Sequence, residues 1–157
     1  MAEMTKNPEV LAKQLNSLIE LDFDAVEAYQ AAIDRLSEAT DQAKLRQFMG
    51  DHERHITDLG PLVLELGGTP AQKADFKKVL AKGKVVLAGI VGDRAILAAM
   101  KSNEETSTKT YRKASSEEGL PSHVRAILER NFADEQRHLA WIEERLGSEG
   151  PRIGTSR

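Results

Sequence analysis

Asp51-His52-Glu53-Arg54-His55 and Asp134-Glu135-Gln136-Arg137-His138 repeat each other 83 positions apart. The second contains Glu-x-x-His, and the first has His-x-x-His in the same frame. Residues three apart on a helix share a face. Each stretch therefore sets two metal-ligating side chains next to each other. The flanking apolar residues turn both pairs towards the inside of the protein. Leu45, Phe48, His52, Ile56, Leu59 and Val63 make one stripe; Val124, Leu128, Asn131, Glu135, His138 and Ile142 make the other.

The rest of the chain is organised around these two helices. Asn7-Pro8-Glu9 is a helix start, with a capping side chain followed by proline at the first helical position. Apolar spacing from Leu11 to Leu36 carries helix 1 to about residue 37. A polar link from Ser37 to Asp41 leads into helix 2, which Gly67-Gly68 should stop and Gly60-Pro61 should kink or briefly break. Residues 70–92 read as a crossover, too apolar for a solvated linker, with one or two short helices against the bundle. Helix 3 is expected from about Arg94 to Ala114 and helix 4 from about 122 to 147, around a turn at Glu117 to Ser122. The predicted fold is all-α: a four-helix bundle of two helical hairpins joined by a long, partly helical crossover. It forms one domain over residues 1–148, with residues 149–157 as a flexible tail.

Two further side chains complete an inner polar layer. Asp22 shares a face of helix 1 with Leu15, Leu18 and Tyr29. Glu104 shares one of helix 3 with Leu97, Met100, Thr108 and Tyr111. The cluster Glu20, Asp24 and Glu27 lies on a different face and reads as solvated. Asp22, His52, His55, Glu104, Glu135 and His138 are thus expected to converge. Removing one partner from a buried charged group costs about 3–5 kcal/mol, so the set needs mutual pairing or a cation. Carboxylate oxygens with neutral imidazole favour iron, manganese or zinc over calcium. The metal-free alternative is a structural layer, with Asp22–His55 and Glu104–His138 as buried ion pairs. His123 sits in a turn and Asn131 reads as a core hydrogen-bonding residue. Trp141 and Glu143-Glu144-Arg145 read as surface.

Composition narrows the classes further. The chain has 157 residues, no cysteine and a net charge of -3. The missing cysteine excludes disulfides, thiolate zinc sites and iron–sulfur clusters. The charge argues against nucleic acid as a partner. No apolar run reaches the ~18 residues of a membrane span, and the N-terminus lacks an apolar signal core, so a cytoplasmic location is expected.

The arrangement resembles the ferritin-like superfamily of di-iron carboxylate bundles, which includes rubrerythrins and bacterioferritins. Asp22, Glu104, Glu135 and His138 fit that pattern of one acid on helices 1 and 3 and Glu-x-x-His on helices 2 and 4. Asp22/Tyr29 and Glu104/Tyr111 match its acid–tyrosine spacing of seven. Residues 10 to 147 resemble, more narrowly, an uncharacterised bacterial family of small ferritin-like bundle proteins. Two positions depart: His52 stands where a bridging glutamate is expected, and Asp22 where glutamate is usual. The resemblance implies two iron ions (or manganese or zinc) held by the six residues, with Glu135 bridging. It implies oxidation of Fe(II) by oxygen or hydrogen peroxide, under stress or in iron handling, and an external electron donor. Ferritin-like bundles commonly pair, so an apolar face on the crossover would make a homodimer. The competing expectation is a non-enzymatic stress or interaction protein whose layer is structural or binds zinc.

Overall fold

Asn7 starts the first helix with its side chain. In the computed structural model, which describes residues 6–73, 87 and 89–155 and side chains as far as Gly147, its Oδ1 accepts the N–H groups of Glu9 at 2.8 Å and Val10 at 3.1 Å. Pro8 takes the first helical position, where a missing N–H costs nothing. Helix α1 spans Pro8–Arg35, α2 Ala39–Glu65, α3 Asp93–Ser115 and α4 Ser122–Thr155. No strand occurs among the described residues. The all-α bundle expected from the sequence is the observed architecture.

Helix α2 has no side-chain cap of its own. Asp93, in the first turn of α3, substitutes for it. Its carboxylate accepts Ser37 N–H at 2.9 Å and Glu38 N–H at 3.0 Å, as well as the Ser37 hydroxyl. Gln42 reaches back to the last carbonyls of α1, Ile33 at 3.1 Å and Leu36 at 2.8 Å. The break expected at Gly60-Pro61 does not occur, because α2 runs through Pro61 to Glu65. Proline removes one helical hydrogen bond, and the fully buried Leu59 and Val63 on either side hold the helix in place. Gly67 then turns the chain with φ 85°. Gly68 packs so closely that a Cβ there would lie 3.0 Å from Val63 Cγ1 and 3.1 Å from Ala12 Cβ. Helix α4 continues through Gly150-Pro151 to Thr155, beyond the end near 147 read from the sequence. The short helices expected in the crossover fall on residues outside the described set. Leu87 within that segment is fully buried.

Helix α1 packs on α2 and on α3, and α4 packs on α3 and on α2. Lys6 pairs with Glu117, bringing the start of α1 to the end of α3, whereas Asp93 brings the start of α3 to the end of α1. The directions are therefore up, down, down, up, so the end of α2 and the start of α3 lie at opposite ends of the bundle. Two apolar clusters fill the interior. One gathers Ala28, Ile33, Leu36, Leu45, Phe48, Leu97, Met100 and Ile142. The other gathers Leu11, Leu15, Leu18, Ile19, Leu59, Val124 and Leu128. The polar layer lies between them.

Trp141 and Arg145 are not simply surface residues. Trp141 packs edge-on against Phe48 with ring centroids 5.8 Å apart, and Arg145 Nε donates to the buried Asp41 at 3.0 Å. Among the described residues no helix is long and apolar enough to cross a membrane.

Asp93 yields the first prediction. Burial pushes its carboxyl up, but the N–H groups of Ser37 and Glu38 outweigh this and hold its pKa below the ordinary 3.8. Its contribution is present above that value and is lost as pH falls through the folded pKa. Asp93→Ala should cost about 1 kcal/mol in urea denaturation at pH 7. The gap from the unaltered chain should close in acid. A variant as stable as the parent at pH 7 would show that the cap carries no stability.

Candidate metal centre

The four helices place all six predicted residues at one level. Asp22 comes from α1, His52 and His55 from α2, Glu104 from α3, and Glu135 and His138 from α4. All are fully buried except Glu104, which is 1 % exposed. His52 is at the centre. Its Nδ1 donates to Asp22 Oδ1 at 2.7 Å and its Nε2 lies 3.2 Å from Glu104 Oε2. His55 Nδ1 lies 3.1 Å from the same Asp22 oxygen. Glu135 Oε2 is 3.6 Å from both His52 Nε2 and His55 Nδ1, and 4.0 Å from His138 Nδ1. His138 Nδ1 is 3.6 Å from Glu104 Oε2. Asp22–His55 thus matches the pairing expected of a structural layer, whereas His52 joins both acids, which that pairing did not include.

Two tyrosines and two aspartates hold this layer from outside. Tyr29 donates to Glu104 Oε2 at 2.5 Å and Tyr111 to Asp22 Oδ2 at 2.7 Å. The spacing of seven therefore pairs each tyrosine with the acid of the other hairpin, because α1 and α3 run antiparallel. Asp134 Oδ2 accepts from His55 Nε2 at 3.0 Å, and Asp51 Oδ2 accepts from His138 Nε2 at 2.8 Å. The first residue of each repeated stretch thus holds the last residue of the other. Such carboxylates fix the tautomer of a ligating imidazole and leave its other nitrogen facing inward. Arg54 and Arg137 pair with both aspartates, Arg137 to Asp51 at 3.0 Å and to Asp134 at 2.8 Å. Sequence reasoning passed over Asp51 and Asp134. Their signal was recurrence at the first place of both stretches, but inspection of one helix at a time does not show a bond that crosses to another.

Outside the layer, His123 pairs with Glu65 at 2.7 Å on the surface, away from any ligand role. Asn131 is fully buried one turn from Glu135.

The layer separates charge internally. Burial pushes the Asp22 carboxyl up, but hydrogen bonds from His52 and His55 outweigh it and the pKa falls below 3.8. Glu104 is lowered in the same way, burial being overcome by His138 and His52. Burial works against a charged His52, yet Glu135 and the bonds to Asp22 and Glu104 raise it well above 6.5. His55 is raised by Asp134 and Asp22 against the effect of burial. Burial, reinforced by the charges of Glu104 and Asp22, pushes the Glu135 carboxyl well above 4.5. Burial and the neighbouring acids also keep both tyrosines in the phenol form.

Two overlapping groups could hold a metal ion. Asp22, His52, His55 and Glu135 form one; His52, Glu104, Glu135 and His138 form the other, with one ligand atom of each residue within 4.8 Å of the rest. Both groups are buried and combine two carboxylates with two imidazoles.

Residues 10–117 match the domain of unknown function DUF2383. The chain belongs to this family. The matched part of this DUF2383 chain carries Asp22, His52, His55 and Glu104 and ends beyond α3; Glu135 and His138 follow on α4. No curated protein matches it.

The charge distribution sets a pH profile for the metal-free chain. Asp22 and Glu104, both lowered, add stability above their ordinary 3.8 and 4.5, which is lost as pH falls through their folded values. His52 and His55, both raised, add stability that is complete below 6.5 and is lost as pH rises through their folded values. The urea midpoint should therefore peak between these limits. His52→Gln should flatten the alkaline limb; an unchanged limb would refute the charge assignment.

Proposed function

We propose that the DUF2383 chain is a ferritin-like di-metal protein that binds two ions, iron first, in the Asp22–His52–His55–Glu104–Glu135–His138 layer. The observation that carries this reading is the pair of overlapping four-residue donor groups that share Glu135 and His52. Buried donors without partners fit a cation. Both oxygens of Glu135, Glu104 Oε1 and His138 Nδ1 lack a hydrogen-bonding partner in the layer. Leaving such a group unpaired costs about 1–3 kcal/mol, more for a charged one. Hard carboxylate oxygens with imidazole nitrogen suit iron, manganese and zinc.

Bound iron would supply electrons to oxygen or hydrogen peroxide, Fe(II) becoming Fe(III) as the oxidant is reduced. The chain's own residues do the rest. Glu135 Oε2 faces histidines of both groups and would be the carboxylate common to the two ions. Asp134 and Asp51 hold the outer nitrogens of His55 and His138. Tyr29 and Tyr111 orient Glu104 and Asp22. The two apolar clusters keep bulk water away from the layer, which strengthens every charge interaction inside it. The setting that fits this activity is iron handling or defence against oxidants, in the cytoplasm, with the electron donor a separate protein. A homodimer is the assembly proposed by likeness to other bundles.

A metal-free structural layer, or one occupied by inert zinc, is the second reading. The position of His52 favours it. A raised pKa makes His52 a cation between Asp22 and Glu104, so the layer balances part of its own charge.

Metal content per chain separates the two. Protein made in iron-supplemented medium, without chelators or a histidine tag, should hold about two irons. Glu135→Ala should lose them. Free Fe(II) at 100 times its dissociation constant should stabilise the chain by about 2.7 kcal/mol. No iron after reconstitution, and a melting temperature indifferent to Fe(II), Mn(II) and Zn(II), would leave the structural reading.

A further inference from the structure

The two donor groups are chemically unequal. On the α1 side every atom of the residues that this group does not share is already paired or turned outward: Asp22 Oδ1 with His52 and His55, Asp22 Oδ2 with Tyr111, His55 Nδ1 with Asp22, and His55 Nε2 with Asp134. An ion there has to break short hydrogen bonds of 2.7 and 3.1 Å on one oxygen. The second group differs. Of the residues it does not share, Glu104 Oε1 and His138 Nδ1 lack a partner, and both residues are at most 1 % exposed; the oxygens of Glu135, also unpartnered, are common to the two groups.

The spacing of that second group also fits a specific geometry. An ion with ligand bonds of about 2.1 Å in a tetrahedron keeps its ligands about 3.4 Å apart. Four edges of the His52 Nε2, Glu104 Oε2, Glu135 Oε2 and His138 Nδ1 set measure 3.2, 3.6, 3.6 and 4.0 Å. Their mean is close to the tetrahedral edge. Asp22 holds His52 Nδ1 and Asp51 holds His138 Nε2, so the remaining nitrogen of each ring faces the same point.

A route from the surface reaches the same corner. A cavity of about 90 Å³ between α1 and α3 is lined by Asp24, Ala28, Tyr29, Asn103, Glu104 and Ser107. Glu104 belongs to this donor group alone. The small Ala28 and Ser107 leave the opening, and the two carboxylates favour a cation in it.

On the reading that the layer binds metal, we infer that the two ions load in order. A divalent ion first fills the corner made by Glu104, Glu135, His138 and His52. The Asp22–His55 corner is filled second and more weakly, because both Asp22 oxygens and His55 Nδ1 must give up hydrogen bonds, whereas Glu104 Oε1 and His138 Nδ1 have none to give up.

Co(II) is the probe, added stepwise to the full, metal-stripped chain and followed by visible absorption and equilibrium binding. The first equivalent should give the intense bands of four-coordinate Co(II). His55→Gln should leave that step within about threefold while weakening the second, whereas Glu104→Gln should weaken the first by about tenfold or more. His138→Gln removes the same corner by another residue and covers a failure of Glu104→Gln to fold, which circular dichroism reports. Ser107→Leu, which narrows the cavity, should slow the first step with its affinity unchanged. Two equivalents that bind equally, or a first step lost in His55→Gln and kept in Glu104→Gln, would overturn the order while leaving metal binding intact. A parent chain that takes up no Co(II) would overturn both the order and the metal reading beneath it.

Discussion

Six ionisable side chains buried at one level of a helical bundle impose the condition that everything else in this chain satisfies. None can stay charged at low cost without a partner, and all are at most 1 % exposed. Part of the answer is a set of contacts in which His52 touches an acid from each hairpin, Asp22 on α1 and Glu104 on α3. The layer therefore ties the hairpins together as well as offering donors. Apolar clusters on both sides make the interior dry, which raises the cost of any unpaired member and the strength of any paired one. A cation would relieve what the hydrogen bonds leave open.

Repetition explains the economy of the arrangement. Helices α2 and α4 are antiparallel and both carry Asp-x-x-Arg-His, so the aspartate of each faces the final histidine of the other. Arg54 and Arg137 bind those aspartates in turn. The same antiparallel relation between α1 and α3 crosses Tyr29 to Glu104 and Tyr111 to Asp22. Two copies of a short motif thus generate a network of inner donors and outer supports. The exception is His52, whose counterpart in the second copy is Glu135. That difference, together with Asp22 opposite Glu104, breaks the symmetry of the layer. It places a ring nitrogen where the other stretch has a carboxylate and leaves the two donor groups unequal.

Much of this was legible in the sequence because helices are periodic. The 3.6-residue repeat shows which side of a helix a residue occupies, and it placed Asp22, Glu104 and the two His pairs correctly inside. Asn7-Pro8 and Gly67-Gly68 marked helix ends because capping and left-handed backbone are local properties. Local rules also misled. Pro61 suggested a break that burial of its neighbours prevents. Trp141 and Arg145 looked like surface, yet Phe48 and Asp41 on α2 supply their partners.

By itself the sequence determined the number of long helices, their inner faces and the chemical type of the donors, since all three follow from composition and spacing along one strand of chain. Only the tertiary structure decided that Asp93 caps α2, that Asp51 and Asp134 cross over to the histidines, and which ring nitrogen meets which carboxylate. Those contacts join residues 30 to 87 positions apart. Their existence depends on helix direction and on the fit of neighbouring side chains, and periodicity within a single helix carries no record of either.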